Sequence, residues 1–344
     1  MTTAVSEPFI DLSEEPTQPD VLAFAEAEIV RVFGEVLKVR DVRADDDFFD
    51  LGGDSLGAVT VMAFVEENFG VSVPVSAILD AATPRLLARF VTEFGIKEFS
   101  SCVIRVQDTG PGLSLFIVHG LAGDVIYARQ IAKILGPTRP TYGLRAVGLR
   151  AGETPISDIS EIASRYVSEM RGVQPKGPYL LHGYCGGAFV AYEIAQQLRR
   201  AGESVSGLVI VDPPLDWRRS PFLLVSGAGL SVLKWAASAR LQYSTLRSVF
   251  RDKNTDTYRR VQVARTLWHA LAHYEPEPYP GNALVIYCGQ QRDILFNAKR
   301  GLEKSMPKTQ FVEAGETHSS LFETGAQTLA ETKAFIERVD PTLL

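Results

Sequence analysis

Residues Gly183-Tyr184-Cys185-Gly186-Gly187 constrain this chain more than any other stretch. They have the form of a nucleophile elbow, G-x-S-x-G, with cysteine where serine usually stands. Such an elbow turns a strand sharply into a helix and holds its central residue on a strained turn, so the flanking positions must be small. The neighbouring sequence fits. Pro178-Tyr179-Leu180-Leu181-His182 is a short apolar run suited to a buried strand. Ala188 to Ala201 then places Phe189, Tyr192, Ala195, Gln196 and Leu198 near helical spacing. A lone cysteine is ordinarily a small buried thiol; inside a strand–turn–helix frame it reads as a nucleophile.

The alternation continues on both sides. Leu115-Phe116-Ile117-Val118 reads as a strand, Ala128 to Leu135 and Ile159 to Arg171 as helices. Leu208-Val209-Ile210-Val211 and Leu284-Val285-Ile286-Tyr287 read as further strands. Strands alternating with helices predict a mostly parallel sheet covered on both faces. The stretch from Leu215 to about Tyr279 interrupts this with helical patterning, as a lid inserted between two strands would. Its apolar residues, among them Trp217, Phe222, Leu223, Trp235 and Trp268, exceed what a solvated loop requires. They are candidates for lining a substrate pocket or for packing the lid on the core.

The N-terminal region follows a different pattern. Residues 1–19 are rich in Glu, Pro, Ser and Thr and are expected to be a disordered leader. Asp20 is a candidate cap for a helix that carries Ile29, Phe33, Val36 and Leu37 on one face. A polar loop from Asp41 to Asp54 holds Phe48 and Phe49. Ser55 to Phe69 reads as a second helix, with Leu56, Val59, Val61, Met62 and Val65 as core contacts. Val75 to Leu79 is a short turn of helix, and Pro84 opens a last one. The expected domains are a small helical bundle over 20–95, a linker and first strand over 96–110, and a large domain over 111–344 with its lid at about 215–279.

Charge divides along the same line. Residues 1–95 hold 6 Lys and Arg against 18 Asp and Glu, a net of −12; residues 96–344 hold 29 against 23, a net of +6. An acidic small domain therefore precedes a mildly basic large one, an arrangement that suits electrostatic docking. No dense basic stripe with interleaved aromatics points to nucleic acid. No apolar run reaches membrane-spanning length, and the polar start is not a signal peptide. The three cysteines, Cys102, Cys185 and Cys288, show no paired spacing, so a reducing cytoplasm is expected.

Asp47-Phe48-Phe49-Asp50-Leu51-Gly52-Gly53-Asp54-Ser55-Leu56 resembles the phosphopantetheine attachment site of carrier proteins, and its Gly-Gly-Asp-Ser-Leu form is similar to peptidyl carriers of nonribosomal peptide synthetases. The resemblance implies that Ser55 carries a covalent 4′-phosphopantetheine, attached by a phosphopantetheinyl transferase. At a helix start its hydroxyl is exposed and backbone donors can receive a phosphate. Gly52 and Gly53 are expected to let a modifying enzyme approach closely.

The rest of the chain resembles the α/β-hydrolase thioesterases that end peptide and polyketide assembly lines. The matching stretches are Leu115 to Gly120, Gly177 through the elbow, Ala191 to Leu198, and Tyr279-Pro280-Gly281. The resemblance implies a small all-α four-helix carrier bundle followed by an α/β-hydrolase domain with a helical lid. It also implies the order nucleophile, acid, histidine. His318, in Gly315-Glu316-Thr317-His318, falls where the family has its general base. The acid has two candidates. Asp212 ends one strand, and Asp293 follows the next, where ordinary α/β hydrolases place it. Assembly-line thioesterases generally use the earlier strand, which favours Asp212. The oxyanion hole would use the backbone N–H of Gly186 and of Leu121 in the loop His119 to Gly123. His119 and His182 read as packed residues. His269 and His273 share a helix face, without an evident third ligand for a metal.

The implied activity is terminal release of an acyl or peptidyl thioester. The group would pass from the Ser55 arm to Cys185, then to water or to an internal or external nucleophile, with cyclisation or amide formation favoured over hydrolysis. The implied partners are upstream synthetase modules or carrier proteins. Two alternatives stand beside this: an aminoacyl shuttle between carriers through the Cys185 thioester, and a non-catalytic scaffold that presents the carrier.

Overall fold

The computed structural model describes residues 18–69, 75–94, 101–107, 109–150, 152–214, 256–293, 303–322, 327–340 and 342. Residues 1–17 of the expected leader, most of the expected lid, and with it Trp217, Phe222, Leu223 and Trp235, lie outside the described residues, whereas Gln18 and Pro19 already belong to a helix. The chain divides into two compact units, Met1–Val71 with Ala81–Glu98, and Ser72–Asp80 with Phe99–Leu344.

The first unit contains α1 (Gln18–Leu37), α2 (Ser55–Phe69) and α4 (Pro84–Arg89), the last continued by a π-helical turn over Phe90–Phe94. The short α3 (Ala77–Asp80) groups with the second unit. The apolar face of α1 buries Ala25, Ile29, Val32 and Phe33 together with Ala58, Val61, Met62 and Val65 of α2. Phe48 is fully buried and meets Phe33 edge-on at 5.2 Å, which anchors the connecting loop in the core. Two expectations fail: α1 begins at Gln18, so Asp20 lies inside the helix and does not cap it, and Leu56 is exposed, because the first turn of α2 turns this position away from the core that Met62 and Val65 enter. At α4, proline occupies the first turn and Thr83 caps it by accepting from the Leu86 N–H.

The second unit is built on a seven-stranded sheet in the order β1-β3-β2-β4-β5-β6-β7, with only β1 antiparallel. The strands are β1 (Val103–Gln107), β2 (Leu115–Val118), β3 (Thr141–Leu144), β4 (Tyr179–Tyr184), β5 (Val205–Val211), β6 (Ala283–Tyr287) and β7 (Thr309–Glu313). The helices are α5 (Ala128–Leu135), α6 (Ile159–Val173), α7 (Gly187–Arg200), α8 (Asp256–His273) and α9 (Gln327–Val339). The sheet is covered on both faces. At Gly207 a Cβ would lie 2.9 Å from the Phe335 ring of α9, whereas its neighbour Leu208 enters the core shared with α6 and α7. The order of strands reverses between β2 and β4, so the loops after these two strands open a crevice at the carboxyl edge of the sheet. The candidate chemistry gathers there.

Candidate active site

Cys185 sits between β4 and α7 with φ of 55°, a left-handed conformation that is strained for a residue with a side chain. Two glycines allow the turn. A Cβ on Gly183 would lie 2.6 Å from the Gly187 carbonyl oxygen. A Cβ on Gly187 would lie 1.8 Å from the carbonyl oxygen of His119, so this glycine lets the elbow close onto the loop after β2. The Cys185 N–H donates to the Val211 carbonyl at 2.9 Å, which ties the elbow to the end of β5.

That strand end delivers the acid candidate. Asp212 follows Val211 with φ of 44° and is buried. Its N–H donates to the Ile286 carbonyl at 2.7 Å. His318, on a 3-10 turn after β7, donates from Nδ1 to Asp212 Oδ2 at 2.5 Å. The other acid candidate, Asp293, is exposed just after β6. Of the two carboxylates, Asp212 is the one that meets His318.

Electrostatics follows from this geometry. Burial opposes the charged form of His318, but hydrogen bonds to Asp212 and Cys185 outweigh it and raise the imidazole to about 10. Burial pushes Asp212 upward, while hydrogen bonds from His318 and from the Cys288 N–H more than compensate, leaving the carboxyl below its ordinary value. Tyr184, the variable residue of the elbow, stacks on the His318 ring with centroids 4.6 Å apart and planes 15° apart, and its hydroxyl donates to the His318 carbonyl at 3.1 Å. Phe322 closes the back of Tyr184 edge-on at 4.8 Å. Neither Tyr184 nor Phe322 stood out in the sequence. The first lay inside the motif as its variable position, and the second is an ordinary apolar residue.

The loop after β2 is a tight turn. Gly123, at φ of 86°, donates to the Gly120 carbonyl at 3.0 Å, and Asp124 caps the following turn by accepting from the Val125 and Ile126 N–H groups. Leu121 and Gly186 are brought together: a Cβ on Gly186 would lie 3.3 Å from Leu121 Cδ1. Leu267 of α8 approaches the same point to 3.1 Å. His119 is buried, shares a hydrogen bond between Nδ1 and the Gly120 carbonyl, and is pulled to about 4 by burial. His182 is fully buried and pulled to about 3 by burial. Both are therefore neutral packing residues near neutral pH. His269 and His273 lie ring to ring on α8 at 4.6 Å, and no group of three metal-ligating side chains occurs among the described residues.

Ser55 is exposed as the first residue of α2, a fifteen-residue helix. Asp54 caps it, accepting from the Gly57 N–H at 2.8 Å. An exposed hydroxyl where a long helix presents free N–H donors fits a phosphodiester-linked arm. The two glycines also have a role inside the chain itself. Gly52 has φ of 94°, and a Cβ on Gly53 would lie 2.3 Å from the buried Phe48 ring. They shape the turn that delivers Ser55.

Comparison with known proteins agrees with both halves. Residues 27–91 match the family profile of the phosphopantetheine attachment site, and residues 114–221 match the thioesterase domain. Over 188 residues the chain is 36% identical to indigoidine synthase of Streptomyces lavendulae, a match covering 55% of this chain and 15% of that protein. A crystal structure of a holo four-domain nonribosomal peptide synthetase bound to AMP and glycine matches 98% of this chain and 27% of its own, with TM-score 0.61 and 25% identity. The NocB thioesterase domain, solved as a covalent complex with a fluorophosphonate nocardicin G analogue, shares the fold over 69% of this chain and 98% of its own, with TM-score 0.55 and 23% identity. The chain is thus a phosphopantetheine carrier joined to a thioesterase of α/β-hydrolase fold. This order of domains is similar to that in the nonribosomal peptide synthetase it matches, and the chain spans about 15% of the length of indigoidine synthase. No described helix is long and apolar enough to cross a membrane.

Proposed function

We propose that this didomain releases an acyl or peptidyl group through a covalent thioester on Cys185, with His318 as acid and base, Asp212 as its orienting partner, and Ser55 as the attachment residue of the carrier. The arm held by Ser55 supplies a flexible thiol that presents the group as an activated thioester. The observation that carries this reading is the hydrogen bond between Asp212 and His318, together with Cys185 on a strained elbow whose thiol helps raise the His318 imidazole.

The thiol proton of Cys185 passes to His318, and the thiolate is the nucleophilic form. Cys185 Sγ attacks the thioester carbonyl carbon, and the electron pair of the C=O bond moves onto oxygen. The N–H groups of Gly186 and Leu121 are the donors assigned to that oxyanion. As the C=O bond re-forms, the bond to the leaving sulfur breaks and His318 gives that sulfur its proton. Neutral His318 then removes a proton from the acceptor as it attacks the Cys185 thioester. Cys185 leaves as thiolate and His318 is protonated again. Asp212 holds Nδ1–H throughout and so fixes which ring nitrogen faces Cys185.

A cysteine at this position suits an acceptor other than water. Exchange of one thioester for another is near thermoneutral, and a thioester favours attack by amines over water relative to an oxyester. Amide formation, cyclisation or return to a second carrier thiol are the outcomes it serves. Upstream modules would charge the carrier, and a phosphopantetheinyl transferase would install the arm. Incubation with such a transferase and coenzyme A should add one arm mass, and Ser55→Ala should add none. Cys185→Ser with the native acyl chain should acylate but shift products toward a stalled ester or the free acid. An unchanged product distribution at a similar rate would remove the case for the cysteine.

A further inference from the structure

Oδ2 of Asp212 has a second partner besides His318. Cys288 is the residue immediately after β6, and β5 and β6 run in parallel register with Val211 opposite Ile286. This places Asp212 and Cys288 side by side where the two strands end. The Cys288 N–H donates to Asp212 Oδ1 at 3.0 Å, and its Sγ donates to Asp212 Oδ2 at 3.4 Å. Cys288 and Asp212 are each 1% exposed. Burial foremost, and then the adjacent carboxylate, push the Cys288 thiol up to about 11, so it remains a protonated donor near neutral pH. The carboxylate therefore receives the amide on one oxygen and shares the other between imidazole and thiol.

We infer that Cys288 is a positioning residue for the release reaction: acting through Asp212, it clamps the carboxylate in the rotamer that faces His318 and takes up part of the charge on the oxygen that His318 binds. The inference rests on the proposed roles of Asp212 and His318. Its consequence is specific. A carboxylate with a second donor holds the imidazolium less tightly, so His318 surrenders its proton to the leaving sulfur more readily. Among the described residues, Cys185, Tyr184 and Cys288 are titratable groups that interact with Asp212 or His318.

The test compares Cys288→Ala, which removes the donor, with Cys288→Ser, which keeps one, in the full chain. Three readouts are taken: single-turnover acylation of Cys185 by a soluble acyl thioester, the substrate concentration for half-maximal rate, and the His318 titration by NMR. Loss of the thiol should slow acylation about fivefold, the equivalent of one ordinary hydrogen bond, at unchanged half-saturation. It should also move the His318 titration upward. Cys288→Ser should restore both. If Cys288→Ala does not fold, Cys288→Val, close in volume and without a donor, takes its place. An unchanged or lowered His318 titration, or a Ser variant no better than Ala, overturns the inference. Asp212→Asn and His318→Gln run alongside separate the two levels: if these acylate like the parent, the proposed roles of Asp212 and His318 fail. If they are inactive while Cys288→Ala matches the parent, only the role of Cys288 fails.

Discussion

Ser55 and Cys185 are both nucleophile-bearing residues at the start of a helix, and the fold treats them in opposite ways. Ser55 opens α2 exposed to solvent, on a turn shaped by Gly52, Gly53 and the buried ring of Phe48. Cys185 precedes α7 on a left-handed turn, half-buried, with His318 and Asp212 lined up behind it. A position that is to be modified by another enzyme needs access and a helix N-terminus. A position that is to react in place needs a base, an acid and a frame that resists relaxation. Glycines next to a helix start serve both, but only Cys185 sits in a strained conformation, and the titratable groups around it set the two apart.

The strongest way to break this contrast is to delete each side chain in turn. Cys185→Ala should lower release at least about 10³-fold, the scale of losing a covalent nucleophile. Ser55→Ala should leave turnover of a soluble acyl thioester unchanged while abolishing arm attachment. Equal loss from both in the soluble assay would end the distinction. Next in size, Asp212→Asn should lower turnover by about 10³- to 10⁴-fold, whereas exposed Asp293→Asn should stay within about twofold. Asp212→Asn should also drop the His318 titration from about 10 toward its ordinary 6.5, since the carboxylate is the foremost group raising it. The reverse ranking of the two aspartates would hand the acid role to Asp293.

The glycines sharpen the contrast further. Gly187→Ala forces a Cβ against the His119 carbonyl and should cost both acylation of Cys185 and about 1–3 kcal/mol of stability. Gly53→Ala presses on the Phe48 ring and should destabilise the carrier by a similar amount, with Cys185 acylation by a soluble thioester unaffected. Denaturant melts with paired acylation assays check both. The smallest effect is on stability against pH. His318 is raised on folding, so its pairing stabilises the fold fully below its ordinary value and is lost as pH climbs from about 6.5 through about 10. Asp212 is lowered, so its share is present above the ordinary carboxyl value and fades as pH falls below it. The stability gap between the parent and His318→Gln should therefore be widest between these limits and shrink toward pH 10. A gap that grows with pH contradicts the pairing.

Much of the fold was legible in the sequence for a physical reason. Strands of a sheet covered on both faces need continuous apolar runs, so Leu115–Val118 stood out, and the strands ending at Val211 and Tyr287 came within a few residues. β3 did not, because Thr141 and Gly143 break its run; Gly143 is required where a Cβ would strike Val125 at 2.6 Å. The elbow was legible because its geometry demands glycine at fixed spacing. The roles assigned to Asp212 and His318 came from resemblance, since 106 residues separate them and no local pattern records their contact. Tyr184 stacked on His318, and Cys288 beside Asp212, were invisible for the same reason: each is an ordinary residue until the sheet brings the strand ends together. Leu56 misled because its apolar character fits the helix pattern, while its position in the first turn exposes it.

The central claim is that Cys185, and not another side chain, carries the acyl group during release. The most direct measurement is peptide mapping by mass spectrometry after loading the full chain with an acyl-pantetheine and quenching within one turnover. The account predicts an acyl adduct on the peptide containing Cys185, in thioester linkage cleaved by neutral hydroxylamine, and none there in Cys185→Ala. An adduct that remains confined to Ser55 in the parent while product still forms, or acylation elsewhere that persists at the parent rate in Cys185→Ala, would contradict it.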